Sequence, residues 1–343
     1  MLAVPQSPPL QGPHSMSMRK SSFISQGERC AATVYLPDGA SRSNKVPAIL
    51  LMYGWGGVQT SFLPPFRDRF LQLGCAVMTF DFRCWGESSG EPRHVISVPD
   101  RIADAEAALQ HLSLQPEVAC DSIFLWGSSL GAGIAFTVGE RHPELKGIIA
   151  QVPMLDGKAA SRRTPLRSRI RILLHAVRDV FRGGNPLYIP IVADEGGFAT
   201  MTRDGAAGAK AASAELYGPG APNYIAARSV LTMLGYRPID SMRRIASRTL
   251  VIGGSRDTIA PFDEQSVRNA GNPNVTVVTL DSNHFEPYLE PHLSRNLDIQ
   301  AEFLVSVLGR VAPKLRCSHS CAALWTYRSR AQRTCISVSS AGW

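Results

Sequence analysis

The sequence has no apolar run that approaches the roughly 18 residues needed to span a membrane. Its first residues, MLAVPQSPPLQGPHSMS, also lack the basic start and apolar core of a secretory signal. We therefore expect no membrane span. The close spacing of prolines predicts a disordered leader over residues 1–18, and Met16 or Met18 is an alternative start.

The sequence also lacks a cysteine pattern typical of disulfides or of a metal site. Seven cysteines, an odd number, are scattered along 343 residues, which favours reduced thiols and a cytoplasmic location. The run Cys317-Ser-His-Ser-Cys321 has no second ligand pair at a suitable spacing. We therefore expect no metal and no cofactor.

The positive charge is unevenly distributed. The net charge is +8, yet Lys158 to Arg182 contains eight basic residues and one acidic residue, and the segment 311–343 contains five basic residues and no acidic one. Over the whole chain there is no regular pattern of aromatic residues between basic ones and no known reader motif, so nucleic acid is not expected as a partner. The segment 311–343 has no helix or strand period, which predicts an unstructured basic tail or an artefact of gene-model prediction.

Short apolar runs alternate with helix-period segments, which predicts an α/β fold with a mostly parallel sheet. Strands are predicted at 31–36, 47–53, 75–82, 122–126, 147–152, 249–253 and 275–280, and helices at 62–73, 100–112, 129–139, 263–270 and 293–308. The alternation breaks between residues 158 and 245. We therefore predict a core of residues 19–157 and 246–310, with residues 158–245 inserted as a cap.

Within the predicted cap, residues 162–181 have the period of an amphipathic helix. Its apolar positions are Leu166, Ile170, Leu173, Val177 and Phe181, and arginines occupy the other faces. One interpretation is a solvated basic face. The alternative is a docking site for an acidic acyl carrier protein.

The pattern Gly-x-Ser-x-Gly, typical of a nucleophilic serine, occurs twice. At Ser129 an apolar strand, SIFLW, precedes the turn and a helix-like run, LGAGIAFTVGERH, follows it. A nucleophile elbow needs this strand–turn–helix context. Ser88 is followed by GEPRHV, which does not begin a helix. We therefore predict Ser129 as the nucleophile.

A serine nucleophile needs a histidine base and an acid that orients it, in the chain order serine, acid, histidine. His284 follows the last predicted strand directly, and Asp257 follows the strand before it. Because both would lie at the carboxyl edge of the sheet, the predicted triad is Ser129, Asp257 and His284. Asp281 is the rival acid.

Acyl transfer also needs donors for the developing oxyanion. The amide of Leu130, one residue after the nucleophile, is one predicted donor. The loop Tyr53-Gly-Trp-Gly-Gly57 follows an early strand, and its glycines would let the backbone present the Trp55 amide.

These residues together resemble the α/β-hydrolase superfamily over about residues 19–308. Tyr53 to Gly57 is similar to the superfamily's His-Gly-x-Gly-Gly loop, with tyrosine for histidine. The run DFRCWGES at Asp81 to Ser88 is similar to its Asp-x-Arg-Gly-x-Gly-x-Ser segment, with Cys84 for glycine. The runs IIAQVPMLDG, YIPIV and NHFEPY resemble a subgroup near the dienelactone hydrolases and the X-Pro dipeptidyl-peptidases. Fungal members of that subgroup act beside polyketide synthases as acyl transferases or thioesterases.

The resemblance implies serine-dependent hydrolysis or transfer of an ester or thioester, with a polyketide-type acyl chain as the implied substrate. Water and an alcohol both remain open as the acceptor. A peptidase is an alternative, although Asp194-Glu195 is the single adjacent acidic pair in the cap that could anchor a substrate amine. A non-catalytic ligand-binding protein of the same fold is another.

Overall fold

A computed structural model describes residues 16–309 of the chain. The segment 1–15 of the predicted leader, the predicted tail 311–343 and the Cys317–Cys321 run lie outside them. The strands of the described part are β1 (Ser17–Ser25), β2 (Glu28–Leu36), β3 (Val46–Met52), β4 (Ala76–Phe80), β5 (Val118–Ser128), β6 (Gly147–Gln151), β7 (Tyr188–Pro190), β8 (Tyr224–Ala226), β9 (Arg248–Gly254) and β10 (Val275–Leu280).

The helices of the same part alternate with these strands through most of the chain. They are α1 (Pro64–Gln72), α2 (Val98–Ser113), α3 (Leu130–Arg141), α4 (Gly157–Arg163), α5 (Leu166–Val180), α6 (Ala206–Tyr217), α7 (Ser229–Met233), α8 (Pro238–Met242), α9 (Glu264–Asn269) and α10 (His292–Leu308), with a 3-10 turn at Glu286–Tyr288.

Eight strands form the central sheet in the order β1-β2-β4-β3-β5-β6-β9-β10. β1, β2 and β4 pair antiparallel, and the pairs from β4 to β10 are parallel. The middle strands are apolar and buried along their length, as expected for a sheet covered on both faces. The predicted α/β class with a mostly parallel sheet is confirmed.

The predicted leader is wrong at its end, because β1 begins at Ser17. Ser17 and Met18 pair with Leu36 and Tyr35 of β2. Most side chains of β1 are exposed, so the strand has almost no apolar alternation for sequence analysis to detect. Its backbone pairing with β2 places it in the sheet.

The predicted cap lies between β6 and β9, and its two ends are held together by backbone hydrogen bonds. The amide of Gly157 donates to the carbonyl of Tyr236 over 2.9 Å, and that of Ile239 donates to Leu155 over 3.2 Å. A side chain at Gly157 would overlap the Met233 carbonyl. We call these contacts the neck of the cap. Beyond the neck, α8 packs against α3 of the core, so the predicted boundary at residue 245 lies past the end of the cap.

The single helix predicted over residues 162–181 is two helices in the structure. α4 ends at Arg163 and α5 begins at Leu166, and Thr164 between them is extended, with ψ of 132°. Steric conflict with the ring of Pro165 disfavours helical backbone at the preceding residue. The predicted apolar stripe is exposed, and α5 packs on the molecule through Ile172, Ala176 and Asp179.

Candidate active site

The turn between β5 and α3 holds Ser129 in a conformation that few side-chain-bearing residues adopt. Its φ is 56° and its ψ is −119°, and such backbone persists only where the surroundings enforce it. The flanking glycines are required by space. A side chain at Gly127 would overlap the carbonyl of Gly131, and one at Gly131 would overlap the carbonyl of Met52. The turn therefore places the hydroxyl directly before the first amides of α3.

Ser129, His284 and Asp257 form one buried hydrogen-bonded chain. His284 Nδ1 lies 2.7 Å from Asp257 Oδ2, and His284 Nε2 lies 3.1 Å from Ser129 Oγ. Because an ionised carboxylate only accepts, Nδ1 carries the ring proton and Nε2 offers a lone pair to the serine hydroxyl. This arrangement can take the proton of Ser129 as the hydroxyl oxygen attacks.

The second oxygen of Asp257 fixes the orientation of its carboxylate. Oδ1 accepts from the amides of Ile259 and Ala260, over 2.9 and 2.7 Å. The loop after β9 therefore turns the other oxygen towards His284.

Asp204 in the cap joins the loops that carry the acid and the histidine, and sequence analysis missed it. Its Oδ2 accepts from the amides of Thr258 and His284, over 2.9 and 3.3 Å, and its Oδ1 accepts from the Thr258 hydroxyl over 2.6 Å. Asp204 itself has a positive φ of 59°. An aspartate before a glycine in a loop is typical of a turn, so no sequence signal could have identified this contact.

The loop after β3 passes directly against Ser129. A Cβ at Gly54 would stand 2.8 Å from the Cβ of Ser129 and 3.3 Å from its Oγ. Trp55 and Leu130, whose amides are the predicted oxyanion donors, line the same cavity as Ser129. The indole of Trp55 donates to the Thr200 hydroxyl over 3.1 Å, which ties this loop to the cap.

A buried arginine lies beneath the same loop. Arg101 of α2 donates from Nη1 to the Gly54 carbonyl over 3.1 Å, and its guanidinium carbon lies 4.5 Å from the ring centre of Phe82 and 5.5 Å from that of Tyr53. Within residues 16–309 its Nε and Nη2 have no hydrogen-bond partner. Burial lowers the pKa of this guanidinium, and the nearby Tyr53 and Asp104 raise it.

Tyr53, which stands where the similar family loop has histidine, has its own hydrogen bond. Its hydroxyl accepts from the Phe82 amide over 3.1 Å, and burial raises its pKa well above the ordinary value. The tyrosine therefore links the Gly54 loop to the loop after β4, where Cys84 takes the left-handed conformation, with φ of 65°, at the position of the family's glycine.

The rival candidates have structural partners away from the predicted triad. Ser88 accepts from the Ala31 amide over 2.8 Å and donates to the Asp81 carbonyl. Asp281 is exposed and pairs with Arg256 over 2.9 Å. Neither side chain contacts His284 in the structure.

Two cavities meet at Ser129. The larger, of about 570 Å³, is mainly apolar and extends under the cap between Met154, Ile172, Met233 and Ile259. The smaller, of about 200 Å³, lies on the side of Phe62, Tyr288 and His284 and includes Lys210. The Lys210 ammonium donates to the carbonyls of Ala221 and Pro222, and burial lowers its pKa. Two groups of one substrate can therefore lie on opposite sides of the serine.

In residues 16–309, no cluster of three or more histidine, cysteine or acidic side chains has the arrangement of a metal site. The helices of that range are all too short or too polar to cross a bilayer.

Comparison with known proteins gives a family and several relatives. Residues 47–291 match the family described as serine aminopeptidase, S33. The chain is 28% identical to a quorum-quenching protein, AidA, of Acinetobacter baumannii, over 83% of this chain and 94% of that protein. It is 22% identical to the polyketide transferase claH of Penicillium crustosum, over 80% of this chain and 92% of the relative. It is 26% identical to a thiohydrolase of Eupenicillium brefeldianum, over 77% and 87%.

Among solved structures, the chain is similar to the α/β hydrolase GrgF from Penicillium sp. sh18. The TM-score is 0.68 at 19% identity, over 86% of this chain and 99% of GrgF. At that identity the likeness shows the fold alone.

Proposed function

The chain belongs to the serine aminopeptidase S33 family of α/β hydrolases, and on that premise we propose that Ser129 is the nucleophile of an acyl-transfer reaction on esters or thioesters. The observation that supports this role most strongly is the hydrogen-bonded chain from Ser129 through His284 to Asp257. Relatives named as transferase and thiohydrolase agree with hydrolysis or transfer of acyl groups.

In the proposed first step, Ser129 Oγ attacks the carbonyl carbon while its proton moves to His284 Nε2. The carbonyl oxygen gains a negative charge, and the amides of Trp55 and Leu130 stabilise it. The imidazolium, stabilised by Asp257, then gives its proton to the leaving alcohol or thiol. A Ser129 ester remains.

In the second step, water or an alcohol gives its proton to His284 and attacks the Ser129 ester. Collapse of the tetrahedral intermediate returns the proton to Ser129 and releases an acid or a new ester. The triad serves both acceptors equally, so exclusion of water by the cap decides between hydrolysis and transfer.

The cavities favour a substrate with an extended apolar acyl group. The larger cavity has the volume of a site for a drug-sized ligand, and its apolar lining suits a reduced or aromatic acyl chain. Together with the names of the fungal relatives, this supports a polyketide-type acyl chain from secondary metabolism as the substrate. The smaller cavity would then receive the leaving or accepting group.

A peptidase is less well supported, although the family takes its description from one. Asp194 and Glu195 are exposed and line neither cavity, so they offer no anchor for a substrate amine beside Ser129. A carboxylesterase of broad specificity and a non-catalytic binding protein are the two remaining candidates. The match to the quorum-quenching protein adds a bacterial signalling molecule to the substrates worth testing.

The test is the reactivity of Ser129. A fluorophosphonate probe should label the protein at Ser129, with no label in Ser129→Ala and full labelling in Ser88→Ala. A panel of p-nitrophenyl esters and acyl thioesters, each with and without an alcohol acceptor, would then separate hydrolysis from transfer. An unlabelled, folded protein would support a non-catalytic binding protein, and labelling lost in Ser88→Ala but kept in Ser129→Ala would refute the assignment.

Two sequence-based expectations stay predictions. One is the cytoplasmic location. The other is the docking of an acidic acyl carrier protein on the basic helix of the cap.

A further inference from the structure

The outer face of α5 carries seven of the fifteen exposed large apolar side chains in the described part of the chain. Seven large apolar side chains lie on it, six of them between 42% and 59% exposed and Phe181, just past the helix end, 85% exposed. They are Leu166, Ile170, Leu173, Leu174, Val177, Val180 and Phe181.

These side chains form one continuous face. At about 100° per residue, they cover an arc of roughly 120° around the helix axis. Arg167, Arg171 and Arg178 follow one edge of this arc and Arg169 follows the other, while Ile172 and Asp179 on the opposite side are buried against the molecule. An apolar face bordered by cationic side chains is typical of helices that lie in the interface of a bilayer.

We propose that α5 binds an anionic lipid surface, with its apolar face in the acyl-chain boundary and Arg167, Arg169 and Arg178 among the headgroups. The charge around the helix supports this partner. The one acidic residue between Lys158 and Arg182 is Asp179, which is buried and paired with Arg228 over 2.9 Å. No other acidic side chain of that segment therefore offsets its arginines.

Two other partners fit the helix less well. A second copy of this chain would bring arginines against arginines. An acidic carrier protein would form ion pairs with the arginines, but it would not by itself account for an apolar arc that includes Phe181.

The same face leads into the larger cavity. Leu166, Ile170 and Leu173 belong both to the exposed arc and to the cavity lining that reaches Ser129. A lipophilic acyl substrate dissolved in the bilayer could thus pass from the surface to the serine along apolar side chains. This last step depends on the proposed function, whereas binding of the surface does not.

The experiment is co-sedimentation of the full-length protein with vesicles of phosphatidylcholine alone or mixed with phosphatidylglycerol. We expect binding to the anionic vesicles that weakens as salt rises. Replacing Leu174 and Phe181 with Ser should reduce the affinity more than tenfold, and each of Arg167→Gln and Arg178→Gln about fivefold. These residues do not line the cavity that holds Ser129, so turnover of a soluble ester should stay unchanged. The control is Leu114→Ser, which removes an exposed leucine 72% accessible on another surface.

Failure of the wild-type protein to sediment with anionic vesicles at low salt would overturn the proposal, as would equal binding of the Leu174/Phe181 variant. Self-association that this variant abolishes, seen by sedimentation velocity without vesicles, would assign the face to a second copy. Binding of an acidic carrier protein without any binding of vesicles would assign it to the carrier.

A different observation supports a second inference, which concerns Arg101 and rests on the proposed role of the Trp55 amide. The Gly54 carbonyl that Arg101 contacts and the Trp55 N–H belong to one peptide unit, which is planar. A hydrogen bond at the oxygen fixes the direction of the N–H at the other end and draws electron density away from it. We infer that Arg101 is a positioning residue that aims and polarises the Trp55 donor.

The burial of Arg101 fits this role better than a purely structural one. A buried cation with two unpartnered nitrogens among the described residues is costly, and contacts with aromatic faces offset only part of that cost. Even buried ion pairs can often be replaced by apolar side chains of similar volume with stability unchanged or higher.

The test compares Arg101→Met with the wild type on an activated ester. Loss of an oxyanion donor lowers kcat about 10²–10³-fold, so misorientation of one should lower it about 10–100-fold. KM should stay within about twofold, and the affinity of an arylboronic acid, whose adduct with Ser129 carries an oxygen in the oxyanion position, should fall in parallel with kcat. Arg101→Lys, which keeps the charge, should recover part of both.

Unchanged kcat in a folded Arg101→Met would overturn the inference. A fall in kcat with unchanged boronic acid affinity would overturn it too, because the oxyanion site would then be intact. If Arg101→Met does not fold, the comparison of kcat with boronic acid affinity is made on Arg101→Lys. Failure of the proposed function would appear separately, as activity that survives Ser129→Ala.

Discussion

Asp257→Asn should lower turnover by about 10³–10⁴-fold, because the contacts of Asp257 force the new amide into one orientation. The carboxylate oxygen Oδ1 accepts from the amides of Ile259 and Ala260. If the NH₂ group faced these two donors, both would lose their acceptor, at about 1–3 kcal/mol each. The amide oxygen therefore stays there, and the NH₂ group faces His284 Nδ1.

That orientation reverses the role of the imidazole. Nδ1 must accept from the NH₂ group, so the ring proton moves to Nε2, which can no longer accept from Ser129. The productive tautomer is disfavoured by the roughly 2–6 kcal/mol of two unpaired donors, which corresponds to roughly 30- to 10⁴-fold. The upper part of that range agrees with the loss expected when the acid of a triad becomes an amide.

The assay is kcat on a p-nitrophenyl ester together with the rate of fluorophosphonate labelling, and both should fall together. The matched control is Asp281→Asn, three residues before His284, which removes an exposed carboxylate paired with Arg256 and should change kcat less than twofold. If Asp281→Asn loses activity while Asp257→Asn keeps more than a tenth of it, with both variants folded by circular dichroism, the assignment of the acid is wrong.

Two further substitutions and one chemical modification test other contacts and buried groups near the site. Tyr53→Phe leaves the buried Phe82 amide without its acceptor and should lower the free energy of unfolding in urea by about 1–3 kcal/mol; an unchanged midpoint would show that water replaces the hydroxyl. Asp204→Ala removes three hydrogen bonds at the loops of Asp257 and His284. The kcat should therefore fall by about tenfold or more while KM for a small ester changes little. An intact kcat in the folded variant would contradict a positioning role. Burial raises the pKa of the Cys84 thiol to about 11. Because the thiolate is the reacting form, alkylation of Cys84 by iodoacetamide should be slow at pH 8 and its rate should rise about tenfold per pH unit. Exposed Cys120 should be modified first, and peptide mapping that finds Cys84 modified as fast as Cys120 would refute this.

The sequence was most informative where local chemistry decides the structure. Gly127 and Gly131 have no room for a side chain, so the turn around Ser129 requires the two glycines of the Gly-x-Ser-x-Gly pattern. Asp257 and His284 each follow a strand of a parallel sheet, and such strands end at one edge. Their approach could therefore be predicted without knowledge of the loops.

Features that depend on tertiary packing could not be predicted in the same way. Asp204 reaches the triad loops only because the cap folds back over them. The periodicity of α5 identified an amphipathic helix correctly, but periodicity does not say which face meets the protein. The side chains that pack inwards are Ile172 and Ala176 with the charged Asp179, and its partner Arg228 lies 49 residues further along the chain.

The neck of the cap has a consequence for how this enzyme could diversify. The backbone hydrogen bond between Gly157 and Tyr236 closes the cap at its base, so the number of residues between them does not affect the pairing of the sheet strands. The entropy cost of closing that loop grows only with the logarithm of its length. Segments of different length and composition could be exchanged there and supply new walls for the substrate without altering β6 or β9. Such an exchange has one constraint. The new segment must place a carboxylate where Asp204 lies, because without it the loops of Asp257 and His284 lose the hydrogen bonds that join them.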